Sequence, residues 1–270
     1  MSESGTPAAG SARLNTGVAH NARVWNYWIG GTDHYEVDQQ VGEHVAGMFP
    51  VIREIARADR EFLGRAVRFL AEERGVRQFL DVGTGLPTAE NTHEIAQRIA
   101  PDSRIVYVDN DPVVLMHART LLTGTSAGVT DYIDADVHDP DAILERAGRT
   151  LDLSRPVAVM MLGILNFVLD TEKARDIARR VMAAVPSGSF LVLTHPTHDD
   201  EVGGAGQIPA MEFWNENATP PITARSGAEI ARFFDGLELL EPGLVSCSVW
   251  HAGTDSPATV PQYGAVAVKP

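Results

Sequence analysis

A chain of 270 residues can bury one large core or two small ones, and 44% apolar with 21% charged residues excludes whole-chain disorder and fibrous repeats. The formal net charge of −14 sets the mean field against polyanions, and the arginines are dispersed, so nucleic acid is not an expected partner. The single cysteine, Cys247, has no intramolecular disulfide partner and fits a reducing compartment.

Met1 to Ser11 lack the basic start and apolar run of a secretory signal. A small, polar composition predicts a disordered tail over residues 1–15. From Val18, apolar residues at Ala22, Trp25 and Ile29 predict a helix that stops at Gly30-Gly31. After Pro50, Ile52, Ile55, Phe62, Leu63, Ala66, Val67 and Leu70 predict a second helix ending at Gly75. Its other face, with Arg53, Glu54, Arg57, Arg60, Glu61, Arg65 and Arg68, is expected to be solvated. Residues 16–75 thus form a helical extension, a candidate lid.

Beyond Gly75 the rhythm changes. Gln78–Val82, Arg104–Val108, Val129–Ile133, Val157–Leu162 and Ser189–Thr194 have strand character, alternating with helical patterns at Pro87–Ala100, Pro112–Leu122, Pro140–Ala147 and Thr171–Val185. Pro87, Pro112 and Pro140 each suit a first helical position. The alternation predicts an α/β fold, a doubly wound, mostly parallel sheet over residues 76–270. One further helix, Ala228–Phe234, precedes strands Leu237–Leu240 and Tyr263–Val268, which would be antiparallel neighbours. The longest apolar stretch, Val157 to Leu165, is too short to span a bilayer, so a cytoplasmic chain without membrane association is expected.

In an open parallel sheet, ligands bind beyond the carboxyl ends of the strands. Three of these ends carry acids. Asp81 precedes Gly83-Thr84-Gly85, where glycines permit a tight turn and close approach. Asp109 ends its strand where it would accept both ribose hydroxyls, and Asp136 stands where it would accept an adenine amine. Thr88 occupies the third glycine position of the dinucleotide fingerprint, and Asp81 would repel a pyrophosphate but attract a sulfonium or ammonium. Those acids suit a positively charged nucleoside, S-adenosylmethionine.

The segment from Phe79 to Leu122 resembles the cofactor half of a class I S-adenosylmethionine-dependent methyltransferase. More narrowly, ARVWNYWIGGTDHYEVD, YIDADVHDPDAIL, LDLSRPVAVMMLGILNFVLD, LVLTHPT and RSGAEIARFFDGLELLEPGLV resemble an actinobacterial methyltransferase-like family long labelled "of unknown function". The likeness spans about residues 18–268. It implies seven strands with the last antiparallel, Asp81, Gly83, Thr84 and Gly85 at the methionine moiety, Asp109 and Asn110 at the ribose, and Asp136 and Val137 at the adenine. The expected cofactor set also takes in Gly163, Arg23, Tyr27 and Gly31. Two positions depart from the pattern: Asn166 stands where His is expected, and His34 where Asn is usual. An amide does not titrate.

Ala22–Asp38 gathers Trp25, Trp28, Tyr27, Tyr35, His34, Asp33 and Arg23, which predicts aromatic faces near a sulfonium and Arg23 near the methionine carboxylate. Gly30-Gly31 would hinge this lid. Catalytic candidates are His34, Tyr35, Asn166 and His195. The run His195-Pro196-Thr197-His198-Asp199-Asp200 matches no fixed metal-site spacing, so no metal is expected. Val202–Pro221, with Met211, Phe213 and Trp214, either caps an acceptor pocket or forms a short helix packed on its own domain. The expected function is methyl transfer from S-adenosylmethionine to a small-molecule acceptor. A non-catalytic S-adenosylmethionine-binding sensor and, less favoured, an NAD-dependent oxidoreductase are the alternatives. The extension also offers a surface for a homodimer.

Overall fold

The computed structural model describes residues 16–88, 90–121, 127–253 and 257–270. The expected tail over residues 1–15 lies outside them. In chain order the N-terminal part holds β1 (Ala19–His20), α1 (Asn21–Trp28), α2 (Glu36–Met48) and α3 (Ile52–Glu72). An alternating series follows: β2 (Gln78–Val82), α4 (Thr92–Ile99), β3 (Arg104–Asp109), α5 (Pro112–Leu121), β4 (Val129–Asp134), α6 (Pro140–Ala147), β5 (Ala158–Leu162), α7 (Thr171–Ala183) and β6 (Phe190–Pro196). Then come α8 (Ile208–Asn217), β7 (Ala218–Thr219), α9 (Gly227–Ala231), β8 (Glu238–Leu239), β9 (Val245–Ser246) and β10 (Gln262–Val268).

The main sheet runs β4-β3-β2-β5-β6-β10-β8, with β9 also pairing β10. Strands β2 to β6 are parallel, whereas β10 is antiparallel to β6, with Val266 opposite Val192. The chain builds outward from β2 through β3 to β4, then returns to place β5 on the other side of β2. That reversal puts the topological switch point between β2 and β5. The sheet is apolar on both faces, as parallel strands flanked by helices require. Phe79, Val192 and Val266 join Phe62 and Ile95 on one face, while Leu80, Val159 and Leu191 join Ile143 and Val181 on the other. No helix among the described residues is long and apolar enough to cross a membrane.

Several expectations are corrected. The helix expected from Pro87 begins at Thr92, because Asn91 caps it: Glu94 Oε2 accepts from the Asn91 backbone N–H at 2.8 Å in a reciprocal capping box. The sheet has an eighth, two-residue strand, β9. Helix α2 was not anticipated, since Gly42 and Gly47 dilute its pattern. Gly42 is there because α1 presses on it: a Cβ would lie 2.9 Å from the Tyr27 ring, and Trp28 Nε1 donates to the Gly42 carbonyl at 3.1 Å. Residues 202–221 carry α8, whose Trp214 approaches Trp28 at 6.3 Å between ring centroids. Parallel pairing of β1 with β7, Ala19 opposite Ala218, joins the extension to the end of α8. The extension and the segment after β6 therefore build one cap over the carboxyl ends of the strands.

Candidate active site

The loop after β2 is fixed from two sides. Gly83 and Thr84 donate to the Val108 carbonyl at 2.8 and 3.2 Å, and Gly85 donates to Asp109 Oδ2 at 2.8 Å. Gly83 sits at φ +80° and Gly85 at φ +67°, the left-handed region that favours glycine. A Cβ on Gly83 would stand 2.6 Å from the Ile164 side chain, so the loops after β2 and β5 touch across the switch point.

Asp81 is buried beneath this loop and accepts from Thr92 Oγ1 at 2.7 Å. Burial pushes its carboxyl up to about 6; the Thr92 hydroxyl and the Arg60 charge oppose the rise, and Asp109 adds to it. Asp109, half-buried, also accepts from the Asp111 backbone N–H at 2.9 Å. Burial raises its pKa against those backbone donors. Asn110 Nδ2 donates to Asp136 Oδ2 at 3.4 Å, linking the ends of β3 and β4. Asp136 accepts from the His138 N–H at 2.9 Å; burial would raise its pKa, but His138 holds it below the ordinary value. Val137 is buried beside it. The structure thus brings Asp81, Gly83, Thr84, Gly85, Asp109, Asn110, Asp136 and Val137 along one rim. Asp111 caps α5 by accepting from Val113 N at 2.8 Å and pairs with His20 Nδ1 at 2.6 Å, fastening β1 to that rim.

A cleft partly open to solvent lies between the glycine loop of this rim and the cap; Asp81, Asp109 and Asp136 are not among its lining residues. Gly83, Thr84, Gly85, Gly163 and Asn166 line it. Arg23, Tyr27 and Gly31 do not. The Arg23 guanidinium is buried, with Nε on Asp38 at 2.8 Å and another nitrogen on the Val18 carbonyl at 2.6 Å. The Tyr27 hydroxyl donates to Glu43 on α2. Gly31 gives room to the Asn26 amide, which a Cβ would meet at 2.3 Å, and Asn26 itself lines the cleft. The positions expected from the lid motif thus brace the cap, while Trp25, Trp28 and Asn26 face the space.

The candidate bases fare differently. His195 is fully buried: its Nδ1 donates to the Pro196 carbonyl at 2.8 Å, and Arg225 donates to its Nε2 at 2.7 Å. Burial pushes its pKa down to about 3, the Pro196 carbonyl opposing the shift and the Arg225 charge adding to it, and both ring nitrogens are taken up by these partners. His34 packs edge-on to Tyr27 at 5.0 Å, and Tyr35 forms the N-cap of α2 with Arg23 over its ring at 5.2 Å; neither lines the cleft. Among the described residues no three His, Cys, Asp or Glu side chains converge on a metal-sized site.

Three residues of α3 escaped sequence reasoning, Arg60 and Asp59 in the cleft and Arg65 outside it. Arg60 was assigned to a solvated face, but it lines the cleft and donates to Asn91 Oδ1 at 3.1 Å. Arg65 likewise turns inward, to the Trp250 and Cys247 carbonyls at 2.7 Å each. Asp59 is buried in the cleft wall. Its signal was present: it lies four residues after Ile55 and three before Phe62, an acid on the apolar stripe.

A doubly wound sheet ending in an antiparallel strand, with acids at three successive strand ends beside a glycine loop, defines a Rossmann-like protein of the methyltransferase class. The family described as S-adenosyl methyltransferase matches residues 7–270, and the chain belongs to it. A DUF574 family protein from Streptomyces avermitilis superposes with a TM-score of 0.90 at 43% identity, covering 96% of this chain and 100% of that one. A Thermobifida fusca protein, provisionally described as a methyltransferase, gives 0.86 at 35% identity, covering 95% and 96%. Magnesium protoporphyrin IX methyltransferase from Synechocystis, crystallised with S-adenosylhomocysteine, shares the fold at a TM-score of 0.54 and 12% identity, covering 92% and 93%. No curated protein sequence matches the chain.

Proposed function

We propose that the chain methylates a small-molecule acceptor and holds S-adenosylmethionine along the rim formed by Asp81, Asp109 and Asp136. The observation that carries this reading is the set of three carboxylates around a loop whose glycines leave its backbone approachable. The donor set fits the cofactor. Asp109 already orients Gly85 and keeps lone pairs for ribose hydroxyls, Asp136 faces solvent where an exocyclic amine would reach it, and Val137 supplies an apolar wall. Arg60, beside Thr84 and Thr88 in the cleft wall, replaces Arg23 as the cation for the methionine carboxylate. When bound, the cofactor supplies a methyl group already activated by its sulfonium. The chain's own part is to align the acceptor and exclude water. Residues 16–75 act in this reading as a lid, joined by α8, over a methyltransferase domain at 76–270.

A pH dependence follows. A cation beside Asp81 favours the ionised carboxyl, whose folded-state pKa in the ligand-free chain is raised to about 6. Affinity for S-adenosylmethionine should therefore be constant above pH 7 and fall by about tenfold on reaching pH 5. Asp81→Asn should flatten that profile in a calorimetric titration; an unchanged profile contradicts the assignment. The contribution to folding has the opposite sense. This acid destabilises the ligand-free fold progressively as pH rises from its unfolded value of 3.8 to about 6. The transfer itself is tested by screening acceptors for conversion of the cofactor to S-adenosylhomocysteine. Neither the sensor nor the oxidoreductase alternative gains support from the comparisons.

A further inference from the structure

The sheet beneath the cleft divides it in two. The rim acids stand at the ends of β4, β3 and β2 and are not among the cleft's lining residues, whereas Leu162, Asn166, Pro196 and Gln262 carry its floor from the loop after β2 over β5, β6 and β10. Neighbouring strands are ~4.8 Å apart, so a group above β6 is roughly 10 Å from one above β2. Two polar side chains that the cofactor reading does not use face this second half. Asp59, 8% exposed, accepts from Gln262 Nε2 at 3.1 Å. Gln262 stands opposite Pro196, at the end of β6. Asn166, 3% exposed, sits in the single turn after β5, and its Oδ1 has no hydrogen-bond partner among the described residues. An unpaired buried acceptor destabilises the ligand-free fold, and a ligand that donates to it removes that penalty.

The roof over these groups is aromatic. Trp25 and Trp28 meet edge to face at 5.9 Å, and Trp28 and Trp214 are tilted at 46°. These rings pack on one another and offer an apolar aromatic boundary instead of the facing walls that enclose an ammonium. Charge points the same way. An anionic acceptor meets the Asp59 carboxyl, while a cationic one meets the charge of the bound sulfonium. Burial raises the Asp59 carboxyl, against the Thr194 and Gln262 donors.

We propose that the half-cleft over β5, β6 and β10 is the acceptor subsite, and that it takes an uncharged aromatic molecule whose O–H or N–H donates to Asn166 Oδ1, in a wall that also holds Asp59, while its ring lies against the Trp25, Trp28 and Trp214 roof. The proposal names the acceptor class for the methyltransferase reading and rests on it for its purpose. Binding itself requires no transfer.

The test is calorimetric titration of the full chain with 2-naphthol, 2-methoxynaphthalene and 2-naphthylmethylammonium, and separately with S-adenosylhomocysteine. The expected result is 2-naphthol binding about tenfold more tightly than its methyl ether, the scale of one donated hydrogen bond, and more tightly than the ammonium. Asn166→Ala and Asn166→Leu should each reduce that preference to about threefold or less, with unchanged circular dichroism. Either variant carries the test alone if the other fails to fold. Equal binding of naphthol and ether, preference for the ammonium, a preference surviving in the folded variants, or no naphthol binding below about 1 mM would each overturn the proposal. Failure of S-adenosylhomocysteine to bind while the naphthol preference holds would instead remove the methyltransferase reading and leave the subsite standing.

Discussion

Replacing Arg225 with alanine is expected to destabilise the fold by about 3–5 kcal/mol and to lower the melting temperature by roughly 10 °C. Arg225 is only 2% exposed and donates to the Leu165 carbonyl at 3.1 Å, the Val168 carbonyl at 2.6 Å and His195 Nε2 at 2.7 Å. Its own N–H donates to the Pro196 carbonyl at 3.2 Å. This side chain staples the turn after β5, which carries Asn166, to the end of β6. Truncation leaves two buried carbonyls and a ring nitrogen without donors, each at about 1–3 kcal/mol before relaxation. Arg225→Lys should recover only part of the loss, because a point charge cannot reach both carbonyls and the ring in fork geometry. Thermal unfolding followed by circular dichroism reads the effect. A melting temperature within a few degrees of the wild type would show that the fork contributes little.

Asp109→Ala is expected to weaken S-adenosylmethionine binding by about a hundredfold while leaving the chain folded. The carboxylate has two tasks at once. It accepts from Gly85 and Asp111, at 2.8 and 2.9 Å, which sets the glycine loop and the start of α5 in register. It also presents the remaining lone pairs to the ribose subsite. Loss of one such charge-assisted interaction is worth about 1.5–3 kcal/mol, and the loop loses its anchor as well. Asp109→Asn should fall between the two, since an amide retains one acceptor oxygen but cannot receive both backbone donors. Titration calorimetry separates the three proteins; equal affinity of Asp109→Ala and wild type would exclude the ribose role.

The alternating half of the chain was legible because its signals are local. Gln78–Val82 and Pro140–Ala147 fall on the expected residues, the first marked by Phe79, Leu80 and Val82 ahead of a glycine loop and the second by Pro at the first helical position. The rim acids were legible for the same reason, since a strand end is a place the sequence marks. The cap was not, because its contacts join distant segments. Gly42 weakens α2 in isolation yet is what allows α1 to approach it, and Arg23 faces Asp38 fifteen positions further along the chain. A cation beside aromatic residues does not disclose that its charge is already neutralised. Arg60 and Asp59 were missed for a related reason: on a helix facing a cleft, part of the charged face is interior. His195 shows the converse, a motif-like histidine that is fully buried with Pro196 and Arg225 on its two ring nitrogens.

The central claim is that a cationic nucleoside is held at the carboxyl ends of β2, β3 and β4. Titration calorimetry of the wild-type chain at pH 7.5 with S-adenosylmethionine, and in parallel with NAD, measures it most directly. The account predicts saturable one-to-one binding of the sulfonium compound and no detectable heat from the dinucleotide. Absence of S-adenosylmethionine binding, or tighter binding of NAD, would contradict it.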